Sequence, residues 1–307
     1  MRWLITGGTG MIGQALTASL LRDGHEVTLL SRNPKAHDSK VENLQVIKWD
    51  GETAGGWGNV VEKTDAIVNM AGERIAGPNP ITLRWTPARK ERICSSRANA
   101  GMALVQAIEN APRVPGVLIQ FSGADYYAPS SKTATEATPH GDGFLAHVCA
   151  DCWEPSTLPV ENMGVRRVIT RLGPVLHPED GALSPMILQT KLFLGGPLGS
   201  GRQFFSWVHI DDIVGAIRFL VDNPDAVGVY NLTAPNPVTN TEFMRTLARV
   251  MNRPSFLRVP AVALKILFGE MSSTLLQGPR VYPEKLLADG YSFQYPEAEA
   301  ALNDLIT

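Results

Sequence analysis

Cysteine, net charge and long apolar stretches are all scarce in this chain, and each scarcity excludes something. Three cysteines (Cys94, Cys149, Cys152) in 307 residues are too few, and odd in number, to staple a disulfide scaffold, which points to a reduced, intracellular, cytoplasmic protein. Lys and Arg total 28 against 30 Asp and Glu, a net charge of −2. That balance offers no basic footprint of the kind duplex DNA or RNA requires, so no nucleic-acid partner is expected. No apolar run approaches the ~18–20 residues that cross a bilayer, so no membrane partner is expected either. The opening Met1-Arg2-Trp3-Leu4-Ile5-Thr6 runs straight into glycines without a small-residue cleavage site, and reads as a buried strand rather than a signal peptide. The six histidines are scattered, with no H-E-x-x-H and no doubled C-x-x-C, so no metal site is expected.

What is present is an ordinary globular composition, 44% apolar and 19% charged, long enough for one large α/β unit with an appended lobe. Short apolar runs alternate with amphipathic stretches, the pattern of βαβ units and a doubly wound parallel sheet. The expected strands are 2–6, 26–30, 44–49, 66–70, 117–121 and 167–171. Apolar residues at helical spacing predict helices over 12–21, closed by Gly24, and over 97–109. After about residue 172, Gly-Pro punctuation becomes dense, as in Gly195-Gly-Pro-Leu-Gly-Ser-Gly201, and suggests a second lobe. A helix over 210–223, a strand over 228–232 and a helix over 239–252 follow. Residues 1–172 with the return segment 203–232 are thus expected to form a nucleotide-binding domain. Residues 173–202 and 233–307 would form a smaller substrate lobe.

The strongest motif is Thr6-Gly7-Gly8-Thr9-Gly10-Met11-Ile12-Gly13, which ends an expected strand and opens an expected helix. Gly7 would permit the tight turn, Gly10 would admit a pyrophosphate, and Gly13 would let the helix pack on the sheet. The amides at Met11 and Ile12 would face the phosphates. An NAD site places an Asp or Glu at the end of the second strand. This chain instead has Ser31-Arg32, and a guanidinium there can fork onto a 2′-phosphate, so NADP(H) is the expected cofactor. Asp50 suits either an adenine amino group or a plain turn. Asn69-Met70-Ala71-Gly72 ends the fourth strand with small residues that let the backbone approach a ribose.

Together these motifs resemble the short-chain dehydrogenase/reductase superfamily in its extended form. Gly201–Ile213 resembles the segment by which its extended, epimerase-like members return from the substrate lobe to the sheet. Asn69-Met-Ala-Gly-Glu73, Arg84-Trp85-Thr86, Lys90-Glu91, Ser96-Arg97, Gly195–Gln203 and the tail from Pro237 to Pro296 resemble its YfcH-type "epimerase family" branch over nearly the whole chain. The resemblance implies a Rossmann-type fold that binds NADPH, with cofactor contacts at Ser31, Arg32, Met70, Ala71, Glu91, Arg97 and Val175 beside the glycine turn.

Superfamily catalysis uses a Tyr, a Lys four residues later, and a Ser that polarises the substrate carbonyl. Ser122 suits the serine slot, but the stretch Gly143–Glu154 contains neither Tyr nor Lys. Tyr126 and Tyr127 stand near enough to Ser122 to substitute as the acid, or to pack and bond the substrate loop. Without a cation beside it, a phenol of pKa ~10 is a weak donor at neutral pH. Cys149-Ala-Asp-Cys152 falls inside an amphipathic helical stretch, unlike thioredoxin-type pairs at a helix start. Asp211 and Asp212 suit a helix first turn, and Arg202 at the lobe junction suits an anionic substrate. The sequence thus supports an NADP(H)-dependent oxidoreductase or epimerase acting on a small polar molecule. The missing dyad supports the alternative of an NADPH-binding sensor or scaffold.

Overall fold

In the computed structural model, which describes residues 1–34, 41–76 and 84–306, the apolar runs lie side by side in one parallel sheet. Its strands are β1 (Arg2–Thr6), β2 (Glu26–Ser31), β3 (Leu44–Lys48), β4 (Ala66–Asn69), β5 (Val117–Gly123), β6 (Arg166–Leu172) and β7 (Gly228–Leu232). Their spatial order is β7-β6-β5-β4-β1-β2-β3. Ile5 pairs with Leu29 on one side and Val68 on the other, so the strand order reverses direction at β1. A crevice opens at that switch point, beyond the carboxyl ends of the strands. Every residue of β4 and six of the seven in β5 are buried, which is why these strands read as unbroken apolar runs instead of alternating ones.

Helices cover both faces. Helix α1 (Met11–Arg22) and helix α3 (Ile210–Asp222) pack Leu16, Leu20, Ile213 and Ile217 against one face. Helix α2 (Pro87–Glu109) packs Ala100, Leu104 and Ile108 against the other, beside Val160 and Val165. α1 ends at Gly24, whose φ of +74° is the left-handed conformation that a terminal glycine supplies cheaply. α2 begins ten residues before the expected start at Arg97. Thr86 caps it by accepting from the Arg89 amide at 3.2 Å, and Pro87 occupies the first helical position, where no N–H is needed. The charged run Arg89-Lys90-Glu91-Arg92 hides the apolar period over those turns.

A third core lies outside the sheet. Leu176, Leu183, Trp207 and Leu302 surround Phe243 and Leu247 of α4 (Asn240–Val250). A capping box starts α4: Thr239 accepts from the Glu242 amide, and Glu242 accepts from the Thr239 amide at 2.7 Å.

The stretch expected as one amphipathic helix winds in three ways: an α turn over Phe144–His147, a π turn over Val148–Trp153 and a 3-10 turn over Glu154–Met163. Here the expectation of a chain with all its thiols reduced needs correction. Cys152 is disulfide-bonded to Cys94 of α2, with Cα atoms 5.5 Å apart, and Cys149 is left as a buried thiol. The packing of α2 on this stretch brings together two cysteines 58 residues apart, a proximity that spacing alone cannot show.

Candidate functional site

The site is built at the carboxyl ends of β1, β2, β4, β5 and β6. After β1 the chain turns at Gly7, whose φ is +69° and whose added Cβ would stand 2.9 Å from the Met70 carbonyl oxygen. A Cβ on Gly13 would stand 2.4 Å from the Gly8 Cα, so Gly13 packs against the turn itself, not the sheet. Gly10 is different: its Cβ would meet only the Gly7 oxygen, at 3.4 Å, and its open side faces away from the protein. As the cap of α1, Gly10 offers no side-chain acceptor, which leaves the first-turn amides of Met11 and Ile12 to an outside anion.

A polar ladder fixes the neighbouring strand end. Thr6 donates to Asn69 Oδ1 at 2.6 Å, and Asn69 donates to Gln120 Oε1 at 2.9 Å. The Thr6 hydroxyl oxygen also accepts from the amides of Met70 (3.1 Å) and Ala71 (3.2 Å), setting the backbone that passes over the turn. Arg97 reaches the same loop from α2: its Nη1 donates to the Glu73 carbonyl at 3.1 Å and to the Ile93 carbonyl at 2.8 Å. Its guanidinium stacks 4.5 Å from the Trp153 ring, and burial pushes its pKa down to about 10. Glu91 lies exposed near the start of α2, on the outer side of this arrangement. Val175, after β6, is half-buried; its carbonyl oxygen and Met11 both lie against Gly181.

At the end of β2, Ser31 is buried and accepts from the Asn33 amide at 3.2 Å. Arg32 is exposed, with no acidic partner among the described residues. Asp50 accepts from the Glu52 and Thr53 amides, each at 2.8 Å, and from the Thr53 hydroxyl, whose bond leads those holding its carboxyl below the usual range. Of its two expected roles it fills the turn.

Ser122, Tyr126 and Tyr127 meet a buried network that spacing did not reveal. Ser122 donates to Glu154 Oε1 at 2.7 Å. Arg171 forks onto the same carboxylate at 2.8 and 2.9 Å and donates to the Tyr127 hydroxyl at 3.0 Å. Tyr127 in turn donates to Asn231 Oδ1 at 2.7 Å. Burial pushes the Tyr127 phenol up, against the Arg171 charge that lowers it. Burial works downward on Arg171, yet the Glu154 carboxylate keeps its pKa above the usual value. The Arg171 guanidinium also lies 3.2 Å from the Tyr126 ring centroid, and the Tyr126 hydroxyl has no hydrogen bond among the described residues. Asp125, the residue before Tyr126, keeps part of its surface in solvent, yet desolvation by the surrounding protein pushes its carboxyl up. Glu154, Arg171 and Asn231 carry one available signal: charged or amide residues within otherwise apolar elements must find partners.

Two adjoining cavities are lined by residues outside the seven-stranded sheet. One, of about 230 Å³, is lined by Ser130, Ser131, Arg202, Gln203 and Gln277. The other, of about 630 Å³, shares Leu276 and Gln277 with it and extends to Lys265 and Glu270. Neither includes a residue of the glycine turn.

The model of the NAD dependent epimerase/dehydratase family matches residues 3–233, and a domain of unknown function matches residues 259–305. The chain is 40% identical over 308 residues to the epimerase family protein YfhF of Bacillus subtilis (strain 168), covering 100% of this chain and 98% of that one. It is 38% identical to the epimerase family protein SDR39U1 of Bos taurus, covering 100% of both. The crystal structure of human epimerase family protein SDR39U1 (isoform 2) with NADPH superposes with a TM-score of 0.88 at 37% identity, covering 99% of each chain. A Rossmann-type fold and a nucleotide-binding edge define the class, and the chain belongs to the NAD dependent epimerase/dehydratase family.

Proposed function

We propose that this chain is an NADP(H)-dependent oxidoreductase or epimerase that acts on a small polar substrate. The observation that carries this reading is the end of β2. The exposed Arg32 beside Ser31, without an acidic partner among the described residues, stands where an NAD site would hold a carboxylate, and suits a 2′-phosphate. The residues fit the dinucleotide: Gly7 and Gly13 leave no room for a Cβ, Gly10 leaves its outer side open, and Met11 and Ile12 offer amides to a pyrophosphate. Bovine SDR39U1 is 38% identical, and its human counterpart was crystallised with NADPH, which supports the same cofactor here.

When bound, the nicotinamide ring supplies or accepts a hydride. Met70, Ala71 and Val175 would line its half of the site, with Arg97 holding the loop after β4 in place. Glu91 remains a proposed contact through the family resemblance. Ser122 and Tyr127 have their hydroxyls committed to the Glu154–Arg171–Asn231 network, so Tyr126 is the one phenol of the pair left to hand over a proton. The Arg171 guanidinium, forked onto Glu154, stacks against the Tyr126 ring and holds the phenol in position. Ser130, Ser131, Arg202 and Gln203 offer polar groups to an anionic or hydroxylated substrate.

Calorimetric titration tests the cofactor. NADPH binds more tightly than NADH, and Arg32→Glu weakens NADPH about ten- to a hundredfold through loss of the charge-assisted bonds. Unchanged uptake by that variant rejects the reading. A carbonyl-substrate panel then tests the chemistry, with Tyr126→Phe expected to abolish turnover while binding persists.

The committed hydroxyls of Ser122 and Tyr127 favour a second reading, a cofactor-bound sensor or scaffold with little chemistry. It requires NADPH to change the solution scattering profile; an unchanged profile together with turnover removes it.

A further inference from the structure

We propose that Cys94, Cys152 and His147 form a binding site for a zinc-class divalent cation, opened by reduction of the Cys94–Cys152 disulfide. The three donor atoms, two sulfurs and one ring nitrogen, lie within 4.8 Å of one another. They come from two elements, α2 and the α-to-π winding over 144–153, so the sequence shows no metal spacing. His147 Nε2 stands 3.9 Å from the Cys152 sulfur, while Nδ1 lies 2.6 Å from Asp151 Oδ2. A ring that donates from Nδ1 to a carboxylate turns a lone pair on Nε2 toward the sulfurs, the arrangement that orients a metal-bound histidine.

Two thiolates and an imidazole are a borderline-soft set that suits tetrahedral zinc, with water in the fourth place. Zinc–sulfur bonds of about 2.3 Å need the two sulfurs roughly 3.8 Å apart, a small parting from their bonded position. A way in exists, because the His147 and Asp151 side chains are 57% and 56% exposed although Cys152 is buried. Cys149 does not compete, since it is buried and its sulfur is directed at the Gly123 carbonyl, away from the other two.

The chemistry balances with a dithiol reductant. Two electrons and two protons pass to the Cys94 and Cys152 sulfurs, the S–S bond breaks, and the reductant becomes a disulfide. The cation then displaces the two thiol protons, forming two metal–sulfur bonds and one metal–nitrogen bond.

Cobalt(II) titration of the full chain tests this, after anaerobic reduction to three titratable thiols and removal of the reductant. The reduced chain takes up one equivalent and shows thiolate-to-cobalt charge-transfer absorption, which zinc(II) bleaches. Cys94→Ser and Cys152→Ser lose that absorption, and Cys149→Ala keeps it. Asp151→Asn weakens cobalt binding about tenfold or more. The disulfide-bonded wild type, folded and unaltered in sequence, takes up none. No charge-transfer absorption in the reduced wild type, its survival in Cys94→Ser, its loss only in Cys149→Ala, or a disulfide that cannot be reduced without unfolding the chain would each overturn the proposal.

Discussion

Glu154 and Arg171 form an ion pair in the interior: the Arg171 side chain is 4% exposed and that of Glu154 11%. Charges removed from water this far persist only with well-aligned partners, and Glu154 has the forked guanidinium and the Ser122 hydroxyl. Glu154→Gln keeps the shape but leaves Arg171 charged without its counterion, so a loss of about 3–5 kcal/mol in a urea titration is expected. Ser122→Ala should cost only about 1–2 kcal/mol, because the guanidinium still satisfies the carboxylate. Equal losses for the two would refute this ordering. Ser122, Tyr126 and Tyr127 were legible as a group from their distance to the fifth strand. Their partners were not, because Arg171 reads as the last residue of a strand and Glu154 as the neighbour of Trp153. Only the fold places β6 beside β5, with Ser122 opposite Arg171.

Among the elements, the strands were legible nearly to the residue, since each apolar run is bounded by turn residues and those of β1, β4, β5 and β6 are almost wholly buried. The early start of α2 was not, because its first turns carry the charged run Arg89-Lys90-Glu91-Arg92, of which Arg89 is buried, in place of an apolar period. Gly13 lies on α1, where alanine would ordinarily add about 1 kcal/mol of helix propensity. Here the new Cβ would stand 2.4 Å from the Gly8 Cα, a backbone atom that cannot swing aside. Overpacking of about 1–3 kcal/mol outweighs the propensity, so Gly13→Ala should lower thermal stability and abolish NADPH binding together. A stabilised variant would contradict the close packing of helix on turn.

Asp65 ties elements by charge. It accepts from the Arg2 amide at 2.8 Å, at the start of β1, and pairs with Arg113 at 2.8 Å, in the connection to β5. Burial pushes its carboxyl up, but these bonds prevail and hold it at about 2, below 3.8. A depressed carboxylate contributes stability above its unfolded value and loses it as pH falls through the folded value. Asp65 should therefore supply about 2 kcal/mol at neutral pH, lost between about pH 4 and pH 2. Urea midpoints across that window should fall less for Asp65→Asn than for the unaltered chain.

At the scale of the molecule, one buried carboxylate helps to fasten the C-terminal segment to the Rossmann half. Asp212 sits in the first turn of α3, where sequence gives it only a dipole role; its exposed neighbour Asp211 suits that role. Asp212 instead accepts from the amides of Gln294 at 2.7 Å and Tyr295 at 3.1 Å. Tyr291 donates to its carbonyl oxygen at 2.9 Å, over Gly215, where a Cβ would stand 2.6 Å from the Tyr291 hydroxyl oxygen. This contact was hard to read because Asp212 is met by backbone amides, which carry no sequence signature. Asp212→Ala removes the acceptor from two inward-facing amides at about 1–3 kcal/mol each. The sheet, whose cores lie on other residues, loses nothing directly. Hydrogen exchange followed by mass spectrometry should then show residues 290–306 opening faster while β1, β4 and β5 keep their protection. Uniformly faster exchange would mean that Asp212 supports the whole fold and does not act as a local tether; unchanged exchange at 290–306 would mean that the segment is held by its other contacts, among them the packing around Phe243 and Leu302 and the Arg249–Glu299 pair.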